Sequence, residues 1–269
     1  SYKKMTTISI ITAVYNSERT LERCLKSVQS LSRKKFNIEH IIVYSPSEDR
    51  SLKIINEYLQ HNVDAKVINV TKEGISAAFN YGVKASDGDW IHFSNSDDEF
   101  ISKDAVDEIV EEGNLQDRDP ENPYIISAAI ETRKELGAPK KFSPGRMDWK
   151  IYFEPRLPHP GTIYSKSVFE TIGGFDTNLR IAMDYDHFLR AFRSNKVAFH
   201  RSSMQLVRMY LGGASSQASW LMRLRERVYI FRKLEISGAL LALHMSYFVS
   251  KQIGLSVRRA LVQIGEIFL

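Results

Sequence analysis

The first hundred residues alternate short apolar runs with segments in which apolar residues recur every three or four positions. The apolar runs predict four buried β-strands, at residues 8–15, 39–44, 65–70 and 90–93. The helical spacing between them predicts three helices, at residues 21–28, 52–59 and 75–83. Strands that alternate with helices form right-handed βαβ units. The predicted fold class is therefore α/β, a mostly parallel central sheet flanked by helices, with ligands at the carboxyl ends of its strands.

The pattern is less regular after residue 100. It predicts a strand at residues 124–130, a basic surface excursion at 132–146, a short helix at 168–172 that ends at Gly173, and a helix at 184–192. From Trp220 onward the chain is predicted to be helical. We expect one α/β domain over residues 1–218 and a basic, amphipathic helical tail over residues 219–269.

The net charge of +5 is unevenly distributed. Residues 219–269 contain eight Lys or Arg and three Asp or Glu, so the whole excess lies in the tail. Its last helix is predicted to carry an apolar stripe of Val257, Leu261, Ile264 and Phe268 beside Arg258 and Arg259. Such a helix can lie on an anionic membrane surface. The alternative is that the stripe packs on the main domain, or on a second copy in a homodimer joined through the C-terminal helices.

Other classes of protein are disfavoured. No stretch reaches the roughly 20 apolar residues that span a bilayer, and no signal peptide is apparent before the first strand. The basic tail lacks interleaved aromatic residues, so we expect no nucleic-acid binding. Cys24 is the single cysteine and is expected in the core; it excludes an internal disulfide framework. These features favour a cytoplasmic protein, peripheral on the inner face of the cell membrane.

Two adjacent carboxylates, Asp97 and Asp98, follow the fourth predicted strand. Neighbouring carboxylates repel each other and need a counter-charge to stay ionised. A hard divalent cation such as Mn²⁺ or Mg²⁺ supplies that charge, and a diphosphate can complete its coordination. The alternative is a solvated acidic turn that Glu99 extends.

A second group of candidates lies between residues 159 and 186. Asp184 or Asp186 could act as a general base toward an acceptor hydroxyl, or simply complement a helix N-terminus. Asp186 and Arg190 are also spaced as an i,i+4 ion pair, which indicates a structural role for Asp186. His159 lies in a Pro/Gly loop, where a surface position is the usual outcome; contact with a sugar or a phosphate is the alternative.

Six segments, at residues 8–16, 72–85, 88–98, 157–162, 173–190 and 212–216, are informative when they are taken in order. Together they resemble the family 2 glycosyltransferases, inverting enzymes of bacterial polysaccharide biosynthesis with a GT-A, Rossmann-like fold. Residues 8–16 (ISIITAVYN) are similar to that family's opening strand. Residues 72–85 (KEGISAAFNYGVKA) and 88–98 (GDWIHFSNSDD) resemble its donor-side stretch. Residues 157–162 (LPHPGT), 173–190 (GGFDTNLRIAMDYDHFLR) and 212–216 (GGASS) resemble its acceptor side. The resemblance covers roughly residues 6–217.

The resemblance implies a nucleotide-sugar half over about residues 1–100 and an acceptor half over about 120–218. It implies that Asp184 is the catalytic base and that Asp97 and Asp98 hold the metal. The donor side would comprise Ala13, Tyr15, Asn16, Tyr44, Asp49, Asn80 and Asp97, and the acceptor or phosphate side His159 and Asp186. We therefore expect metal-dependent transfer from a nucleoside-diphosphate sugar, with a UDP-sugar favoured, to a growing glycan or a lipid-linked acceptor.

Two positions depart from the family pattern. Tyr44 stands where the family usually has an Asp that contacts the nucleotide base, and Ala77 stands where it often has another Asp. Tyr44 could stack on the base instead. The missing acids leave open a non-catalytic GT-A module that binds a nucleotide sugar or a glycan. A nucleotidyltransferase is less favoured, because residues 13–19 contain no glycine for a phosphate loop.

Overall fold

The strands of the computed structural model form one sheet. It describes residues 5–133, 138–211 and 219–267, apart from the side chains of residue 252 and residues 255–267. The strands are β1 (Thr7–Val14), β2 (Asn37–Tyr44), β3 (Ala65–Asn69), β4 (Trp90–Asn95), β5 (Glu99–Phe100), β6 (Tyr124–Arg133), β7 (Lys140–Phe142), β8 (Thr162–Ser165) and β9 (Ala198–Tyr210). Their order is β3-β2-β1-β4-β8-β6-β9-β5, with β7 paired to β6.

Eight helices accompany the strands in the described ranges. They are α1 (Leu21–Gln29), α2 (Ser51–Leu59), α3 (Ile75–Ala85), α4 (Ala105–Glu112), α5 (Ser167–Ile172), α6 (Met183–Ser194), α7 (Trp220–Lys233) and α8 (Gly238–Ile267). Two short 3₁₀ helices lie at Trp149–Tyr152 and His159–Gly161. The predicted elements of the first hundred residues are confirmed to within a few residues. The sequence interpretation missed α4, β5, β7, β8 and β9; β7 lies within the predicted surface excursion at residues 132–146.

The first half of the sheet is wholly parallel. β2 and β4 both pair with β1, and β3 pairs with β2. The register places Val14 opposite Tyr44 and Ala13 opposite Asn95, so three strands end together at one edge. Beyond β4 the pairing changes, because β8 runs antiparallel to both β4 and β6. The predicted α/β fold is confirmed. The expected mostly parallel sheet is instead mixed, with four parallel and four antiparallel strand pairs in the described residues, and its parallel part carries the candidate site.

Both faces of the sheet are covered, which explains why its central strands are mostly apolar. Ile8 and Ile10 of β1 pack on one side, in a cluster that includes Ile109 of α4. Ile11 faces the opposite side, in a cluster that includes Phe79 of α3 and Phe188 of α6. Cys24 is fully buried, as its spacing predicts.

The tail is not separate from the main domain at its start. Ile230 and Phe231 of α7 are fully buried in the same cluster as Phe79 and Phe188. His244 of α8 is also buried, with Nδ1 2.6 Å from the carbonyl oxygen of Tyr152. The expected boundary at residue 218 therefore does not divide two packing units.

Some predictions concern residues that lie outside the description. Residues 212–216 and Phe268 are among them, as are the side chains of the other stripe positions in α8. Over the ranges that are described, no helix combines the length and the apolar character that crossing a membrane requires.

Candidate active site

The loops that follow β1 and β2 are joined by their own side chains. Asn16 has a left-handed backbone (φ 47°); its N–H donates to Ser47 Oγ at 2.9 Å, and its Oδ1 accepts from the N–H of Glu48 at 3.1 Å. Asp49 accepts from the N–H of Glu18 at 2.9 Å and from that of Ser51 at 3.0 Å. Asn16 and Asp49 therefore build the rim of the site at the ends of these strands.

The two tyrosines at this rim have different environments. Tyr15 is 41% exposed, and Lys72 Nζ lies 4.0 Å from its ring centroid and donates to its hydroxyl. Tyr44 is 6% exposed, and its hydroxyl accepts from the N–H of Ser47 at 3.0 Å. The structure does not favour the expected stacking of Tyr44 on a base, because its ring packs against α1 and α2. The aromatic ring open to a ligand here is that of Tyr15.

Asp98 is a buried carboxylate that accepts a hydrogen bond from the side chain of Asn95. It is 1% exposed, and Asn95 Nδ2 donates to its Oδ2 at 2.8 Å. Within the described residues its Oδ1 has no hydrogen-bond partner. Burial, followed by repulsion from Asp97, raises the pKa of Asp98 to about 8. The interpretation of this segment as a solvated acidic turn is wrong for Asp98.

Asp97 is half-buried beside Asp98, and burial raises its pKa as well. Arg23 of α1 donates from Nη2 to the Asp97 carbonyl oxygen at 3.0 Å, which fixes the backbone of the pair. Glu99 does not extend a free acidic turn, since it forms ion pairs with Arg23 and Arg208. The acidic group that remains available to a ligand is the Asp97–Asp98 pair.

The pair supplies ligands of the right type for a divalent cation, but only two of them. Among the described residues, no group of three or more His, Cys, Asp or Glu side chains is arranged to hold a metal ion. Carboxylate oxygens are the ligands that Mg²⁺ prefers, and Mg²⁺ sites in phosphate chemistry commonly use one or two carboxylates plus phosphate oxygens. The free Oδ1 of Asp98 fits that arrangement.

Asp184 lies in the first turn of α6 and is half-buried. Its Oδ1 accepts from the N–H of Tyr185 at 2.7 Å. Burial raises the pKa of Asp184, whereas that hydrogen bond and the nearby Arg227 guanidinium lower it. Its net pKa is therefore above the ordinary value for Asp and closer to neutrality, which suits a general base.

Asp186 has a structural environment. It is fully buried, with Arg190 Nε 2.9 Å from its Oδ2 and Lys233 Nζ 2.6 Å from its Oδ1. The predicted i,i+4 pair with Arg190 is confirmed. Because cations engage both oxygens, the structure does not favour Asp186 as a ligand for an acceptor.

Asn80 also has its polar groups engaged within the protein. Its Nδ2 donates to the Phe175 carbonyl oxygen and its Oδ1 accepts from the Phe175 N–H, both at 2.8 Å. A Cβ at Gly174 would lie 2.4 Å from Asn80 Oδ1, so this contact requires glycine there. Asn80 therefore holds α3 against the loop that follows α5. The structure does not favour a contact between Asn80 and a nucleotide-sugar donor.

His159 is 6% exposed, and its ring stacks on Phe93 with centroids 5.4 Å apart. Its Nδ1 lies 3.1 Å from the Tyr164 hydroxyl, and burial lowers its pKa to about 3, which keeps the ring neutral. The expectation of a surface position is wrong. The Pro/Gly turn packs on the aromatic core, where little of the ring can reach a sugar or a phosphate.

Two residues next to Asp184 escaped the sequence interpretation. Glu226 and Arg227 lie in α7, within the segment assigned to the basic tail. The Arg227 guanidinium carbon lies 3.6 Å from the Tyr185 ring centroid. No local pattern marks them, because their partners are more than 40 positions away in the sequence.

The raised pKa of Asp98 predicts a pH-dependent stability. A carboxyl whose pKa is higher in the folded state stabilises the fold at low pH, and that stability is lost as the pH rises from about 4 toward about 8. In EDTA, we expect Asp98→Asn to flatten this decline, whose slope per group is at most about 1.4 kcal/mol per pH unit. Urea unfolding across this range measures it. The exposed Glu170→Gln is the control, and equal slopes for Asp98→Asn and the unmodified protein would contradict the prediction.

Sequence comparison identifies relatives of this chain. The profile described as Glycosyl transferase family 2 matches residues 9–173. Uncharacterized glycosyltransferase EpsJ of Bacillus subtilis (strain 168) is 29% identical over 199 residues, which cover 69% of this chain and 56% of that protein. The chain therefore spans little more than half the length of this relative.

Solved structures share the fold. The Staphylococcus aureus TarS 1–349 complex with UDP-GlcNAc superposes with a TM-score of 0.65 at 19% identity, covering 91% of this chain and 73% of that one. The mannosyltransferase PcManGT of Pyrobaculum calidifontis, in complex with GDP-Man and Mn²⁺, gives 0.61 at 15% identity, covering 97% and 79%. At such identities the likeness establishes the GT-A fold alone. Because the family profile matches more than half of the chain and includes Asp97 and Asp98, this chain belongs to glycosyl transferase family 2.

Proposed function

We propose that this chain catalyses metal-dependent, inverting transfer of a hexose or N-acetylhexosamine from a nucleoside diphosphate to a hydroxyl of a glycan or lipid-linked acceptor. The observation that supports it best is the buried Asp98, whose Oδ1 has no hydrogen-bond partner among the described residues, beside Asp97 at the carboxyl end of β4. In open α/β sheets this edge is where ligands bind.

Asp97 and Asp98 would hold the metal ion on the donor side. When bound, Mn²⁺ or Mg²⁺ neutralises the charge that develops on the leaving diphosphate. The exposed Tyr15 ring and the Lys72 ammonium above it offer a stacking surface and a cation at the same rim. The complexes of TarS with UDP-GlcNAc and of PcManGT with GDP-Man and Mn²⁺ support a nucleotide-sugar donor, and we favour a UDP-sugar.

Asp184 would act on the acceptor side. Its carboxylate takes the proton of the acceptor hydroxyl as that oxygen bonds to the anomeric carbon. The bond from this carbon to the diphosphate oxygen breaks on the opposite face, so the configuration inverts. The raised pKa of Asp184 makes it a stronger base than an ordinary aspartate.

A specific observation supports the non-catalytic alternative. Tyr44 and Ala77, which replace two acids of the family pattern, are 6% and 4% exposed and contribute to the core. Neither residue carries a carboxylate, so the two acids of the family pattern have no replacement at these positions. A module that binds a nucleotide sugar without turnover would retain donor binding but show neither transfer nor dependence on Asp184.

Donor binding should require the metal and Asp98. In a thermal-shift panel of nucleotide sugars with Mn²⁺, we expect a donor that binds the folded state to raise the melting temperature by mass action. EDTA or Asp98→Asn should abolish the donor-dependent increase. The control is Asp64→Asn, which alters an exposed carboxylate before β3, at the opposite end of the parallel strands. An increase that survives both EDTA and Asp98→Asn would exclude the metal site.

Turnover should require Asp184. Once a donor and an acceptor are identified, we expect Asp184→Asn to lower the transfer rate by about 10²–10⁴-fold, as loss of a general base does, with little change in donor binding. Asp64→Asn should retain the normal rate. Full transfer by Asp184→Asn would remove this residue from the mechanism. If the unmodified protein binds a donor but transfers its sugar to none of the acceptors tested, the result would support the binding module.

We propose that the C-terminal helices dock on an anionic membrane at the cytoplasmic face. Trp220 and Leu221 of α7 and Leu243 and Ile253 of α8 are 48–60% exposed. A groove between the helices is lined by apolar residues together with Arg225, Arg232 and Lys233. Apolar side chains with adjacent cations match the interface of an anionic bilayer, and this placement would bring the site to a lipid-linked acceptor.

Sedimentation with anionic vesicles tests the docking. We expect the protein to pellet at low salt and to be released at high salt, because each cation near the surface contributes about 1 kcal/mol. Leu243→Asp should weaken binding by about fivefold or more, whereas Val63→Asp, at a site that is 97% exposed elsewhere, should not. Protein that remains in the supernatant would exclude the membrane, and concentration-dependent dimerisation sensitive to Leu243→Asp would assign the surface to a homodimer.

A further inference from the structure

Helix α7 reaches the segment that carries the proposed base. Glu226 is 9% exposed, and its carboxylate accepts the N–H groups of three consecutive residues just before α6. The distances are 2.9 Å from Arg180, 3.1 Å from Ile181 and 2.7 Å from Ala182. Ala182 is the N-cap residue of α6, so Glu226 satisfies donors that a helix start leaves unpaired. A carboxylate there also complements the helix dipole.

The next residue of α7, Arg227, contacts the residue that follows Asp184. Arg227 is 9% exposed, and its guanidinium stacks on the ring of Tyr185 at 3.6 Å. Its Nη1 has no hydrogen-bond partner among the described residues. Burial lowers the pKa of Arg227, and the charge of Asp184 opposes that shift. The two side chains are therefore electrostatically coupled.

Anchoring of α7 alone does not account for these two buried charges. Ile230 and Phe231 already fix the helix in the core, and Lys233 adds ion pairs to Asp176 and Asp186. An ionisable group is costly to bury unless it has partners. Both buried charges lie at the segment that carries Asp184. Glu226 contacts residues 180–182, which precede Asp184, and Arg227 contacts Tyr185, which follows it.

We propose that Glu226 and Arg227 are positioning residues for the catalytic base: Glu226 fixes the turn that presents Asp184, and Arg227 balances the charge around its carboxyl group. This inference rests on the proposed role of Asp184 as the base. It makes α7, which follows the part of the chain that matches the family profile, a component of the active site.

The two residues act on Asp184 with opposite signs. The charged and titratable groups that face it are Arg227 and Glu226 from α7 and the Tyr164 hydroxyl from β8. Burial raises the pKa of Asp184 most, Arg227 lowers it and Glu226 raises it. Neutralising Arg227 should therefore raise this pKa and neutralising Glu226 should lower it. Because a base works in its ionised form, the acidic limb of the rate profile should move in the same directions.

An NMR titration of ¹³C-labelled Asp carboxyl groups measures this without any substrate. Asp184→Asn identifies the signal by its loss. We expect Arg227→Gln to move the Asp184 titration upward and Glu226→Gln to move it downward, each by about half a pH unit or more. Arg227→Lys should restore most of the normal value. Arg225→Gln, on the exposed side of the same helix, is the matched control and should cause no shift.

Kinetics then link the shift to turnover. With an identified donor and acceptor, we expect Arg227→Gln to lower kcat on the acidic limb by about threefold or more, with the KM for the donor unchanged. Shifts that are absent, or that have the same sign for both variants, would overturn the inference even if Asp184→Asn is inactive. Shifts of the expected signs with an active Asp184→Asn would instead overturn the base assignment. Melting temperatures confirm that each variant is folded, and Glu226→Gln keeps an oxygen acceptor toward the turn.

Discussion

The burial of Asp98 is the constraint around which the donor side of this molecule is arranged. A carboxylate with one amide donor and another carboxylate beside it is unfavourable in its charged form. The fold keeps it there because β4 lies inside the sheet, between β1 and β8, and ends in register with β1. Arg23 holds the backbone of Asp97, so the pair cannot relax easily toward solvent. The negative charge at this edge of the sheet is therefore uncompensated until Asp98 takes up a proton or the carboxylate pair binds a cation.

The strands and helices of the first hundred residues could be predicted because the spacing of apolar residues differs clearly between the two kinds of element there. Strands buried on both faces give continuous apolar runs, and each intervening helix presents a single apolar side. The later strands give no such signal. β8 has only four residues, and β9 contains the polar run from His200 to Gln205, where its register with β6 shifts between Ser127 and Ile130. Helix α4 carries the helical spacing of apolar residues in Val106, Ile109 and Val110, which form its buried side.

The candidate site residues also differ in how far the sequence alone indicates their role. Asp97, Asp98 and Asp184 stay predicted site residues: the strand pattern places Asp97 and Asp98 after β4, and the family resemblance singles out Asp184, which lies in the first turn of α6. Tyr44, Asn80 and His159 could not be interpreted correctly, because what a polar side chain does depends on its partners. Asn80 bonds to a residue 95 positions away, and Tyr44 satisfies a local turn. Sequence patterns record residue types and spacing, not which of a side chain's hydrogen bonds are already made.

The basic tail shows how far charge counting can mislead. Its excess of cations suggests a surface for anions, yet Arg227, Lys233 and Lys251 interact with groups of the main domain. Glu226, one of its few acids, is engaged by the turn before α6. The tail therefore combines two kinds of charge. Glu226 and Arg227 face the segment that bears Asp184, whereas Arg225 and Arg232 line an exposed apolar groove that Lys233 also borders. Because the same helix carries both sets, a ligand bound in the groove and a change at Asp184 would act on one rigid element, and α7 is where membrane docking and acceptor chemistry would meet.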